Sequence, residues 1–94
     1  MIIKETEAYI VSLKEILAYI AQDKKSAAIA FQKELRKKIA QLKSFPWMYR
    51  SSIYFDDPSI RDLTYKGYTI PYLVDEEKQI ITIIGITKYK KDLQ

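Results

Sequence analysis

The feature that most constrains this chain is a change in the period of its apolar residues at Ser44-Phe45-Pro46. Before that point Ile10, Leu13, Ile16, Leu17 and Ile20, and then Ala28, Phe31, Leu35, Ile39 and Leu42, recur at spacings of three and four, which places each set on one face of a helix. After it the period is two. Ile60 to Tyr65 alternate, as do Tyr68, Ile70, Tyr72 and Val74, and Ile80-Ile81-Thr82-Ile83-Ile84-Gly85-Ile86 is a β-branched run that is apolar on both faces. Two helical stripes followed by strand patterns, in only 94 residues, can be buried only against each other. The expectation is one α+β domain over residues 1–94.

Local signals set the boundaries. Residues 1 to 5 alternate weakly and read as a short strand. Thr6 is an N-cap candidate with Glu7 in the first turn, so helix one runs to about Gln22. The link Asp23-Lys24-Lys25-Ser26 is short, with Ser26 as the next cap candidate, which predicts an antiparallel helical hairpin. Pro46 ends the second helix, because the residue before a proline is driven out of helical geometry. Trp47 to Ser59 has no period and reads as a loop, with a short extended piece at Ser52 to Phe55. Turns at Lys66-Gly67 and Asp75-Glu76-Glu77-Lys78 then separate three strands of an antiparallel meander. The hairpin covers one face of this small antiparallel sheet, and the N-terminal strand joins an edge or remains frayed. Pro71 has no N–H for a ladder and therefore must face an edge or a bulge. Tyr9, Tyr19, Tyr68 and Tyr72 fall at core-compatible spacings.

Absent residue types exclude whole chemistries. The chain has no cysteine and no histidine, which removes disulfides, thiolate nucleophiles, Ser-His-Asp and Cys-His mechanisms, and thiolate or imidazole metal sites. Its two glycines, Gly67 and Gly85, cannot write a P-loop or a dinucleotide fingerprint. No cofactor and no metal are expected, and Asp75-Glu76-Glu77 reads as a solvated turn. Any chemistry must use Lys, Arg, Tyr, Asp, Glu or a hydroxyl. The start, Met1-Ile2-Ile3-Lys4-Glu5, lacks the pattern of a secretory signal, and no apolar run approaches the roughly 20 residues that span a bilayer. The reading is a soluble cytoplasmic protein with no membrane partner.

The net charge of +4 is unevenly placed. Between Lys24 and Lys43, Lys24, Lys25, Lys33, Arg36, Lys37, Lys38 and Lys43 face Glu34 alone, and a smaller excess, Lys88, Lys90 and Lys91 against Asp92, closes the chain. Such patches suit a polyanion or an acidic protein, and equally a solvated helix face.

The order and spacing of several segments resemble the RelE/ParE superfamily of bacterial type II toxin–antitoxin toxins. These are Glu15-Ile16-Leu17-Ala18-Tyr19-Ile20-Ala21, Ala28 and Phe31, Leu42 with Phe45-Pro46, Ile60-Arg61-Asp62-Leu63, and Gly67-Tyr68-Thr69-Ile70-Pro71-Tyr72-Leu73-Val74. The resemblance implies a growth-inhibiting toxin neutralised by a cognate antitoxin that wraps it with a helix or an added strand. It also implies one of two targets: the ribosome with its mRNA, cleaved in the A site by the RelE branch, or DNA gyrase, poisoned by the ParE branch. For cleavage, Arg61, at the family's common strand arginine, Lys66, before the Gly-Tyr turn, and Tyr89, after the last strand, would be catalytic. Lys88, Lys90 and Lys91, with Arg61, would contact the target or nucleic acid. Arg61 reads equally as the partner of Asp62, Asp56 or Asp57 in an ion pair. Two departures favour gyrase: Gly67-Tyr68-Thr69 stands where the family has Gly-Tyr-Arg, and the tail has no arginine to clamp phosphate. The alternatives are a ribosome-dependent mRNA interferase and a non-toxic module that holds an antitoxin-like peptide.

Overall fold

The structure, a computed structural model, describes residues 1–88. Strand β1 (Ile2–Glu5) leads into helices α1 (Glu7–Asp23) and α2 (Lys25–Gln41), followed by strands β2 (Ile60–Tyr65), β3 (Tyr68–Asp75), β4 (Ile80–Ile83) and β5 (Thr87–Lys88).

Thr6 caps α1 as its position predicts, its Oγ1 accepting from the Tyr9 N–H at 3.1 Å. The single proton of the same hydroxyl is shared between the Ile83 and Ile84 carbonyls, 3.0 and 2.8 Å away, so one side chain ties the start of α1 to the end of β4. The link between the helices is a single residue. Lys24 donates its N–H to Ile20, closing α1, and its carbonyl accepts from Ala27 and Ala28, opening α2. Ser26 therefore lies inside α2 and caps nothing, because the extended backbone of Lys24 already performs both terminations.

The sheet order is β1-β4-β3-β2, with β5 on β3 beyond the end of β4. The meander β2-β3-β4 is antiparallel as expected, but β1 pairs with β4 in parallel, so the sheet is mixed. The parallel sense brings β1 to the end of β4, where the Thr6 N–H donates to Ile83 and the chain passes directly into α1. Both the edge position of β1 and the central position of β4 follow the sequence reading.

The long β-branched run is divided. Tyr72 pairs with Ile83 and Thr69 with Thr87, so Ile70 and Pro71 oppose three residues, Ile84-Gly85-Ile86. That extra residue is a bulge, and proline causes it. The Ile84 N–H donates to the Pro71 carbonyl at 2.9 Å, but Pro71 has no N–H to return. The Ile84 carbonyl is taken by the Thr6 hydroxyl instead.

The core lies between the helical hairpin and one sheet face, where Phe31, Leu35, Ile39 and Leu42 meet Leu63, Tyr65, Ile70, Tyr72, Val74, Ile81 and Ile83. Burying each such aliphatic side chain contributes roughly 1.5–3 kcal/mol. Tyr9 belongs to this core, but Tyr19 is 71% exposed, because it falls off the stripe of Leu13, Leu17 and Ile20. The loop piece expected at Ser52 to Phe55 is reduced to one bridge, Ser51 opposite Arg61.

Replacing Thr6 by valine keeps the shape and removes the cap and both anchoring bonds. The expected loss is roughly 1–2 kcal/mol, read as a lower urea midpoint, with serine restoring most of it. An unchanged midpoint in Thr6→Val would remove this junction from the account of stability.

Candidate functional site

Arg61 and Lys66, grouped in the sequence as candidate catalytic residues, sit at opposite ends of β2, Lys66 in the turn just beyond it. Five residues at ~3.3 Å each separate them by about 17 Å of strand. At the first end, Arg61 projects to the helix-covered face, and its Nη1 donates to the Tyr49 carbonyl at 3.0 Å. Its Nε makes a longer contact, 3.4 Å, to the carbonyl of Pro58, and its guanidinium stacks 4.7 Å from the Trp47 ring centroid. These contacts bind both ends of the 47–59 loop; they are carbonyls and an indole, not the carboxylates of Asp56, Asp57 or Asp62. Tyr72, opposite Arg61 across the ladder, donates to the Pro46 carbonyl at 2.7 Å and meets Tyr49 edge-on.

The neighbouring Asp62 points to the other face and is 3% exposed. Its Oδ2 accepts from the Ile53 N–H at 3.0 Å, pinning the loop there, whereas Oδ1 has no hydrogen-bond partner among the described residues. On β2 and β3 the sheet face away from the helices carries Ile60, Asp62, Thr64, Thr69, Pro71 and Leu73 by alternation from these registers, and its lysine, Lys4, stands opposite Thr82 on the far edge strand β1.

The cations gather at the far end. Lys66 and Gly67 both have positive φ, 47° and 83°, which gives the two-residue turn that matches strand twist. For lysine this left-handed geometry costs about 1 kcal/mol, whereas glycine adopts it freely. Lys66 lies 5.6 Å from the Tyr65 ring centroid and lines an open cleft of about 330 Å³ with Arg50, Thr64 and Tyr68. Lys88 pairs with Tyr68 across β3 and β5, and it lines a second cleft, about 440 Å³, with Ile16, Tyr19, Tyr68 and Ile86. Tyr68 is the wall common to both. The structure thus brings Lys66 and Lys88 to one end of the sheet and leaves Arg61 at the other. Tyr89, Lys90 and Lys91 lie outside the described residues. Arg50 escaped the sequence reading, since it sits in a loop with no period and only the pairing of its carbonyl with the Asp62 N–H places it beside β2.

The description "ParE toxin of type II toxin-antitoxin system, parDE" matches residues 3–93. The chain belongs to the ParE toxin family. No curated protein matches it significantly. Among solved structures, a chain of the chromosomal ParDE system of P. aeruginosa superposes with a TM-score of 0.75 at 18% identity, covering 96% of this chain and 97% of that one. The isolated E. coli RelE toxin gives 0.70 at 15%, covering 98% and 87%, and a chain of the intact E. coli RelBE complex gives 0.69 at 15%, covering 96% and 98%. At such identities these likenesses establish the shared fold, a helical hairpin on a small sheet.

Within this ParE-family toxin the buried tyrosines are held neutral. Burial pushes both Tyr72 and Tyr9 up to about 12, the Glu5 charge adding to the effect at Tyr9, and burial also raises Tyr65, which donates to the Phe31 carbonyl. The native state therefore keeps protons that the unfolded chain releases near pH 10. Stability is full below that point and falls as the pH rises toward about 12, and a late component of the tyrosinate absorbance titration should appear with the same midpoint. A titration complete well below 12 in the folded protein would contradict this.

Arg61→Ala removes the clamp on the loop. The expected outcome is a loss of about 1–3 kcal/mol and a red shift in the emission of Trp47, the only tryptophan. Unchanged emission and stability would show that the clamp is inconsequential.

Proposed function

We propose that this toxin arrests growth by binding DNA gyrase, and that a cognate antitoxin neutralises it. The observation that carries the reading is the separation of the cations. Phosphodiester cleavage without histidine needs several cations and a proton carrier around one phosphate, with a lysine or tyrosine pKa brought down toward neutrality. Here the guanidinium of Arg61 is engaged by the loop carbonyls, about 17 Å of strand from Lys66. The buried tyrosines move upward, away from the range of a general base. On the face of β2 and β3 away from the helices, Asp62 and Thr69 are buried and Thr64 is exposed, so no cation of these two strands stands there. Such a surface suits binding better than phosphoryl chemistry. The similarity to ParDE and RelBE assemblies supports an antitoxin partner for this chain too.

In this reading Lys66 and Lys88, flanking Tyr68, contact the target. Lysine held in left-handed geometry, where glycine would be free of strain, is consistent with a side chain retained for function. Purified protein should inhibit gyrase supercoiling and trap cleaved DNA, and should leave A-site mRNA intact in a purified translation reaction. Lys66→Ala combined with Lys88→Ala should raise the half-inhibitory concentration about tenfold, equivalent to ~1.4 kcal/mol of interface energy, without unfolding the protein. Gyrase untouched by the wild-type protein, together with cut A-site mRNA, would replace this reading with the ribosomal one.

A further inference from the structure

The charge excess of the first half becomes a geometric object once α2 is formed. Lys33 and Lys37 are exposed on the side of α2 opposite the buried Phe31, Leu35 and Ile39, Arg36 stands beside them, and Lys25 and Lys43, at the two ends of the helix, extend the charge along the adjoining flank. Glu34 falls on a different flank, the one that meets Tyr65. Glu5 is the acid nearest this side, sharing with Arg36 and Lys43 the shallow groove at the β1 end. At ~1.5 Å per residue the 17-residue helix spans about 26 Å, or roughly seven base pairs of duplex at ~3.4 Å each.

We propose that this face of α2 is a phosphate-tracking surface for duplex DNA of any sequence. Four of its five cations are lysines, which act on phosphate as point charges rather than as forked readers of bases. Between them stand Gln32 and Ala40, which line an open depression with Lys33, Arg36 and Lys37 and let the helix approach a backbone closely. A protein interface of comparable extent is depleted of lysine and anchored by buried aromatic residues; this stripe exposes one large apolar side chain, Ile29, and no aromatic ring. A helix also fits the wide major groove of B-form DNA, whereas the major groove of A-form RNA is too narrow for it. The surface lies outside the clefts of Lys66 and Lys88, and it does not depend on gyrase being the target.

The test is anisotropy of a labelled random-sequence duplex with the full-length protein, titrated at a series of salt concentrations. If four of the cations meet phosphates, the slope of log K against log salt is about −3.6, a loss of roughly 150-fold between ~50 and ~200 mM salt. Lys33→Ala with Lys37→Ala should bring the slope to about −1.8 and the loss to roughly 12-fold, with the circular dichroism unchanged. Lys4→Ala with Lys78→Ala, which removes the same net charge elsewhere, should leave the slope as in the wild type. Absence of salt-dependent duplex binding, or an equal effect of the control pair, would overturn the proposal. So would tighter binding to RNA of the same length, or α2 variants that lose an acidic protein partner while still binding duplex. The assay contains no gyrase, so its failure leaves the gyrase reading standing, and failure to inhibit gyrase leaves this one standing.

Discussion

The hydroxyl of Thr6 occupies the one point where a strand, a helix and the end of the central strand meet, and much of the architecture follows from what it satisfies. It accepts the Tyr9 N–H, the third amide of α1, and its one proton is shared between the carbonyls of Ile83 and Ile84. The second of those carbonyls is left over because Pro71, opposite, cannot complete a reciprocal pair. A proline in a central strand would ordinarily leave a buried polar group unpaired at a cost of about 1–3 kcal/mol. Here the bulge at Ile84-Gly85-Ile86 moves the defect to the junction of sheet and helix, and a side chain that α1 needs anyway repairs it.

The same bulge has a second effect. It ends β4 and re-aims the chain, so that β5 returns to β3 beside Tyr68 and places Lys88 near the β2–β3 turn. Lys66 is already there, in a turn whose two positive φ angles match the twist of the strands. The far end of β2 is used differently: Arg61, Trp47, Tyr72 and Asp62 fasten a long loop to both sides of the sheet. One end of the sheet is thus committed to holding structure, and the other presents its charge to solvent.

Much of this was legible in the sequence, and for physical reasons. Helical and strand periods differ, so the two helices and the meander could be read from spacing, although α2 stops at Gln41, ahead of the end expected at Ser44-Phe45-Pro46. Pro71, lacking a donor, called for an edge or a bulge, and the ladder has the bulge. Spacing was less informative where one residue could serve two roles. Ser26 had the chemistry of a cap, but the backbone of Lys24 had already closed one helix and opened the next. Tyr19 had the size of a core residue, but its angle on α1 points it to solvent.

Sequence alone determined the class of chemistry, since a chain without histidine, cysteine or a glycine-rich loop has only lysine, arginine, tyrosine, carboxylates and hydroxyls to act with. It also determined the element order, because hydrophobic period is a property of neighbours along the chain. Only the tertiary structure decided that β1 runs parallel to β4, that Arg61 is held by carbonyls at one end of the sheet, and that Lys66 and Lys88 flank Tyr68 at the other. Those outcomes depend on which backbone groups remain unpaired after the strands align, and pairing joins residues whose separation in sequence, up to 78 positions for Thr6 and Ile84, carries no local signal.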